Sequence, residues 1–424
     1  MINAVAFLAI LLTGAVSVRE LWKFRQLNPL FYFIIFSTFL AAGSALEINF
    51  DRIEDKKHLA LIALYQVSIT LYVVFFFNRQ RAALQTENWL ARNWKEVKPE
   101  AALKIWVLLF VSAAISIIYY IIFVGYNLFS FAIMQSETDF TALRLNAYAG
   151  DAYTGAGLIN PFKNTIFPIS FASIGFILAR KQKNLALVAF LGIFFPLYIW
   201  IILGTGQRTF LFYNLVCFFI FMSHRGGMSA VFVVLAGLAF LWLFGMYSVL
   251  LGRTGDASIL GAADQLYHRV FRANLYGSVH GFRYVSNLPI QWGVEWLRVL
   301  QGLVPGQAGS SLSYEVHDYL FRSRRGTVPV TLWVSIYHNF GFIFVPLVMF
   351  SILLLVEKAR SLLISLPKDE FSVFVSSFTC FYIGLVPLSN PFQILNNGLI
   401  GILIIFLFFF TKIKGAADGR RVAV

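Results

Sequence analysis

Charge is scarce in this chain. Asp, Glu, Lys and Arg make up 13% of the 424 residues, against 59% hydrophobic, a balance that excludes an ordinary soluble domain and a disordered chain alike. Cysteine is nearly absent. Cys217 and Cys380 both fall inside apolar runs, too lonely for a disulfide framework or a thiolate metal site. No Walker loop, no nucleophile elbow and no His pair at i, i+4 with a glutamate occurs, so nucleotide-driven, serine-hydrolase and zincin chemistries have no motif here. No basic stretch precedes the apolar run Ile2–Val18, which reads as a first membrane span rather than a cleaved signal. Lysine is missing altogether from Gly252–Asn339, the longest polar interval.

What is present is a succession of apolar runs. Taking roughly 17–25 residues as a crossing, spans are expected near 2–18, 29–46, 59–77, 105–126, 166–179, 185–203, 209–222, 228–251, 340–356, 371–388 and 394–410. The fold class is an all-α polytopic membrane protein of about 11 transmembrane helices, one integral domain over residues 1–424. The runs at 166–179 and 209–222 are short and must borrow flanking residues or tilt. No Lys, Arg, Asp or Glu lies inside any of these runs, as the cost of a buried charge requires.

Basic residues gather in alternate short connections: 19–28, 78–104, 180–184, 223–227, 357–370 and the tail 411–424. The rule that such connections stay cytoplasmic gives an external N-terminus and a cytoplasmic C-terminus. It also accounts for the net charge of +14 through topology rather than a nucleic-acid partner. The polar segments 127–165 and 252–339 then form a periplasmic cap.

The segment 252–339 carries eight arginines, Arg253, Arg269, Arg272, Arg283, Arg298, Arg322, Arg324 and Arg325, and four of the six histidines, His268, His280, His317 and His338. Arginine's planar fork fits phosphate and carboxylate bidentately, which a lysine point charge does not. The choice of arginine eight times over points to anions. Ala262–Val285 and Ile290–Leu303 show helical periodicity and suit amphipathic helices in the interface, with Trp292 and Trp296 on one face. Gly204-Thr-Gly-Gln-Arg208 opens a span from outside, and its glycines, the following helix N-terminus and Arg208 make a candidate diphosphate cradle, or else a tight connector with a snorkelling arginine. Arg269 and Arg272 are further candidates for the diphosphate. Arg144, Tyr148 and Asp151 in the first external segment, with Arg283, Tyr337 and Asn339, are candidates for sugar hydroxyls; plain packing is the alternative. The acids Glu47, Asp51, Glu54 and Asp55 alternate with Arg52, Lys56 and Lys57 and read as a self-neutralised turn, not a metal site. His338 beside Asn339, at the entry of a span, is the candidate general base.

Pro305-Gly-Gln-Ala-Gly309, Glu315, Pro329-Val-Thr and Ile336-Tyr-His-Asn-Phe-Gly341 leading into a span resemble the O-antigen polymerases, the oligosaccharide repeat-unit polymerases of the Wzy type. The Gly204–Arg208 turn resembles that family's upstream Gly/Arg turn. Ser335 departs from the pattern, since many members carry a glutamate before the tyrosine. The resemblance implies a GT-C-like membrane glycosyltransferase fold in the bacterial inner membrane. It implies metal-independent transfer without cofactors, undecaprenyl-diphosphate-linked oligosaccharides as both donor and acceptor, and a polysaccharide chain-length regulator as a candidate partner. O-antigen ligase, which transfers polymer to lipid A-core, is the nearest alternative. A lipid-linked-oligosaccharide flippase is the non-enzymatic one, disfavoured by the lack of charge within the spans.

Overall fold

The computed structural model describes residues 2–134, 143, 156–207, 209–225, 237–239, 241–243, 245–247, 258–268, 273–301, 311–323 and 326–410. The described residues form helices and connections without a strand. Seven helical stretches are long and apolar enough to cross a membrane: Ile2–Phe24, Pro29–Leu46, Ile53–Phe76, Pro99–Val124, Ile159–Arg180, Asn184–Leu203 and Glu370–Leu388. Thr209–Arg225, Gly237–Tyr247 and Ile400–Phe409 are shorter apolar helices. A multi-pass helical membrane protein follows.

The first helices are α1 (Ile2–Trp22), α2 (Pro29–Leu46) and α3 (Ile53–Leu71). Asn28 starts α2 by accepting the Leu30 N–H, with Pro29 where its missing N–H costs nothing. Gly14 lets α1 lie hard on α2, since a Cβ there would stand 2.1 Å from Thr38. The amphipathic α4 (Arg79–Ala91) was unexpected; α5 (Pro99–Ile118), α6 (Leu128–Ile133) and α7 (Ala156–Pro161) follow it. The chain continues through a π-helical turn, Phe162–Ile166, into α8 (Phe167–Arg180), then α9 (Asn184–Leu203) and α10 (Thr209–Arg225). After the polar segment come α16 (Val345–Ser365), α17 (Glu370–Gly384), α18 (Pro391–Ile394) and α19 (Ile400–Phe410).

Helix α17 is the centre, buried along its whole length against α2, α8 and α10. Ser376, Ser377 and Thr379 settle their hydroxyls on carbonyls one turn back, those of Ser372, Val373 and Val375. Helices α1 and α9 keep most of their surface outside, with Leu12, Leu185 and Ile193 exposed as lipid-facing side chains would be.

Two expectations need correction. Charge is present within the crossing stretches. The helix begins at Ile53, not near 59, and carries Asp55 in its first turn. The stretch Ile159–Arg180 borrows seven residues before 166 and brings Lys163 inside. A π turn directly after Pro161 lets the helix absorb the missing proline N–H, so the proline is no boundary. The sequence argument against a transporter loses its footing with it. The second correction concerns Trp292 and Trp296. Trp292 (φ 51°) and Gly293 (φ 85°) turn the chain in left-handed conformations before the helix starts at Val294, so Trp292 stands exposed and off the helix face.

One end of the bundle is clasped by basic side chains. Arg180 pairs with Glu370 at 2.7 Å, and Lys368 donates to the carbonyls of Trp89, Leu90 and Arg92. Arg360 reaches Gln85, Ala82 and Thr86 on α4. The polar segment folds on the other end.

Candidate functional site

Five helices make up the described part of the polar segment: α11 (Ile259–Tyr267), α12 (Ala273–Val285), α13 (Val294–Gln301), α14 (Leu312–Phe321) and α15 (Leu332–Phe340). The expected amphipathic stretches are therefore helical in part. Helix α12 is no surface helix. Leu275, Val279, Phe282 and Val285 are buried, against α2, α3, α14 and α15. Gly277 sits so close to the strap 328–331 that a Cβ would stand 2.0 Å from the Pro329 carbonyl oxygen.

The strongest polar cluster centres on Glu295, in the first turn of α13 and 2% exposed. Its carboxyl accepts the Leu312 N–H at 3.1 Å, Asn390 Nδ2 at 2.9 Å, Asn339 Nδ2 at 3.0 Å and Ser335 Oγ at 3.3 Å. Trp296 Nε1 in turn donates to Ser335 Oγ at 2.8 Å. One acid thus ties together α13, α14, α15 and the connection before α18. A buried carboxylate is tolerable where donors converge on it like this. The backbone reinforces the arrangement. Gln291 N and Trp292 N donate to the His338 and Asn339 carbonyls at 3.0 and 2.7 Å, satisfying two groups that the last turn of α15 would leave orphaned.

His338 stands beside this cluster. Of the four histidines in the segment it alone is buried, 4% exposed, and among the described residues its Nδ1 has no hydrogen-bond partner. Burial, helped by the Arg298 guanidinium, pushes its pKa down to about 4. His338 is therefore a neutral imidazole through the neutral range. His268 lies exposed, 3.5 Å from Asp264. His280 packs on Tyr276 with ring centroids 4.0 Å apart, its pKa lowered by burial and by Arg283. His317 Nδ1 is 2.6 Å from the Ser323 carbonyl.

The remaining expected residues fall into two groups. Arg283 lies on α12 with its fork on Asp55, Nε to Oδ1 at 2.8 Å and Nη2 to Oδ2 at 2.7 Å. That pair ties α12 to α3 and replaces the expected self-neutralised turn: Asp55 answers to an arginine far along the chain rather than to Arg52, Lys56 or Lys57. Next to it, His58 Nε2 accepts from Trp333 Nε1 at 3.1 Å, which fixes the ring proton on Nδ1. Tyr337 is half-buried between Phe282 and Phe342, and Asn339 is sealed, its Oδ1 without a partner among the described residues. The structure thus brings His338 and Asn339 to one cluster and gives Arg283 a carboxylate partner. Arg144, Tyr148, Asp151, Arg208, Arg269 and Arg272 lie outside the described residues.

Sequence reasoning missed Glu295 and Asn390, and read Asp55 as part of a self-neutralised turn without its partner Arg283. Glu295 had one signal, an acid inside an otherwise apolar helical face, with Trp296 and Val299 around it. Comparison with protein-family models, curated proteins and solved structures gave no match in any of the three.

Proposed function

We propose that this chain is a membrane glycosyltransferase that polymerises undecaprenyl-diphosphate-linked oligosaccharide repeat units at the periplasmic face of a bacterial inner membrane. The fold would be GT-C-like, with about eleven crossings, the N-terminus and the polar segment outside and the C-terminus inside. The observation that carries the reading is the buried neutral His338 beside Asn339 and the Glu295 cluster, within the motif Ile336–Gly341 that resembles the polymerases.

In the proposed step an acceptor hydroxyl oxygen forms a bond to the donor's anomeric carbon. The bond from that carbon to the diphosphate oxygen breaks, and the diphosphate leaves on its lipid. The hydroxyl proton passes to His338, whose imidazole is uncharged at neutral pH and so has a free nitrogen lone pair to receive it. Glu295 holds Asn339 and Ser335, and so the helix that carries His338, in one geometry. Arg208, Arg269 and Arg272 would neutralise the leaving diphosphate, and Arg144, Tyr148, Asp151 and Tyr337 would meet sugar hydroxyls; Asn339, sealed against Glu295, would position the helix instead of touching sugar. Arg283 would meet them only alongside its bond to Asp55.

The lipopolysaccharide banding pattern of a deletion strain tests this. A polymerase leaves one capped repeat unit on the core. Bare core with polymer accumulating on the lipid carrier would assign the chain as a ligase instead, and unpolymerised units held at the cytoplasmic face would assign it as a flippase.

A further inference from the structure

The outer face of α12 carries a ring on each successive turn. Tyr276 is exposed, His280 and Tyr284 are half-buried, and the three follow at intervals of four residues, about 6 Å of rise apiece. Tyr276 and His280 lie with ring centroids 4.0 Å apart. Tyr284 then meets Tyr319 of α14 at 5.1 Å, and Tyr319 is exposed in turn. A row of rings thus crosses the outside of the polar segment. Phe282 faces the other way, onto His58 and Tyr337. Two residues, about 200° of helix, separate it from Tyr284, so the row runs on the side of α12 turned away from the helix of His338.

At its Tyr284–Tyr319 end the row enters an open cavity of about 630 Å³, lined by Tyr284, Glu315, Asp318, Tyr319 and Arg322. That volume suits a small molecule or one end of a longer one. Burial, with the charges of Glu315 and Asp318, raises the Tyr284 pKa, so both carboxylates stand near its hydroxyl. Arg322 closes α14 in a left-handed conformation (φ 51°), its N–H on the Asp318 carbonyl at 2.8 Å. Glycine or asparagine is the relaxed residue there, so the guanidinium is present at a conformational cost. The lining selects a chemistry. An anion such as phosphate would meet two carboxylates; an organic cation, which rings and carboxylates attract, would meet Arg322. A hydroxyl both donates and accepts, and here Glu315 and Asp318 accept, Arg322 donates and the phenols do either. The rings add flat apolar faces. A chain of units with hydroxyls at their edges and C–H groups on their faces matches both the cavity and the row.

We propose that Tyr276, His280, Tyr284 and Tyr319, with the cavity at their end, form a binding track for an extended, uncharged saccharide chain, separate from the site of His338 and independent of any lipid. Sugars held there lie beyond the reacting unit, so the track retains the product chain; that role, though not the binding, rests on the proposed function.

The test is calorimetry on the purified full chain in a detergent without a sugar headgroup, lauryldimethylamine oxide. The probes are lipid-free tetramers and dimers of glucose, galactose, mannose and N-acetylglucosamine, with chitosan tetramer as a cation and galacturonate tetramer as an anion. At least one neutral tetramer should bind, about tenfold or more tightly than its dimer and than either charged tetramer. Tyr319→Ala, at an exposed position, should weaken that tetramer about tenfold or more, and Tyr319→Phe, which keeps the ring, should retain most of the binding. Tyr276→Ala, at the far end of the row, should weaken the tetramer and spare the dimer. Failure of every neutral tetramer to bind overturns the proposal, as does binding that ignores both Tyr319→Ala and Tyr276→Ala. Preference for chitosan tetramer, lost in Tyr319→Ala, overturns it in favour of an organic-cation site. His338→Ala should bind the tetramer as the wild type does. If tetramer binding needs Tyr319 and the wild type makes no polymer, only the reaction is wrong. If polymer forms and no tetramer binds, only the track is wrong.

Discussion

Replacing Glu295 by Gln is the sharpest perturbation of the site's framework. Oε1 accepts from Leu312 N and Asn390 Nδ2, and Oε2 from Asn339 Nδ2 and Ser335 Oγ. A glutamine of the same shape must turn its amide N–H groups toward one of these pairs. Whichever way it turns, at least one N–H donor faces another donor, and two acceptor bonds to a buried charge disappear. Hydrogen bonds to charged groups contribute about 1.5–3 kcal/mol each, so a loss of about 3 kcal/mol or more is expected. Glu295→Ala should cost more, because it also opens a cavity. The assay is denaturant unfolding followed by tryptophan fluorescence, for which Trp296, bonded to Ser335, is a local reporter. Glu100→Gln, on the exposed first turn of α5, is the control and should stay within about 0.5 kcal/mol of wild type. If Glu295→Gln stays there too, the carboxylate does not organise the cluster and the reasoning fails.

Asp55→Asn and Arg283→Gln should each destabilise the protein by about 3 kcal/mol, and the double variant by clearly less than the sum; additive effects in a double-mutant cycle would show that the pair is not coupled. His338 has a folded-state pKa of about 4 against an ordinary value of 6.5, so above pH 6.5 its contribution is fully present. As pH falls from 6.5 toward 4 only the unfolded chain takes up the proton, and about 3 kcal/mol of stability is lost. His338→Gln should flatten that part of the stability profile, and an unchanged profile would contradict the burial argument. Gly277→Ala puts a Cβ 2.0 Å from the Pro329 carbonyl oxygen and should cost at least about 1–3 kcal/mol, read as loss of folded protein in detergent. Gly192→Ala, with nothing within 4 Å, should be silent, and equal behaviour of the two would refute the close approach.

Local signals carried the reading of the bundle. Pro29–Leu46 was legible to the residue because Asn28 and Pro29 are a start signal followed by an unbroken apolar run. Lys163 was not, because Pro161-Phe-Lys-Asn164 reads as loop and only the π turn shows the helix passing through it. Partners distant in sequence leave no local trace. Nothing near Asp55 announces Arg283, 228 residues on, and nothing near Glu295 announces Asn390, 95 residues on. Helix α4 hid for a different reason. A connection with basic residues is what the orientation rule needs, so Arg79–Ala91 read as topology rather than as a helix held by Arg360 and Lys368.

The central claim is glycosyl transfer from a lipid diphosphate, and reconstitution tests it most directly. Purified protein in liposomes would be given an undecaprenyl-diphosphate-linked repeat unit as sole substrate, with chelator and without nucleotide sugar. The account predicts products longer by whole repeat units, one undecaprenyl diphosphate released per bond formed, and no product from His338→Ala or His338→Gln of normal fold. Long chains from His338→Gln would show that His338 only orients substrate. No elongation by folded wild-type protein would contradict the proposed function itself.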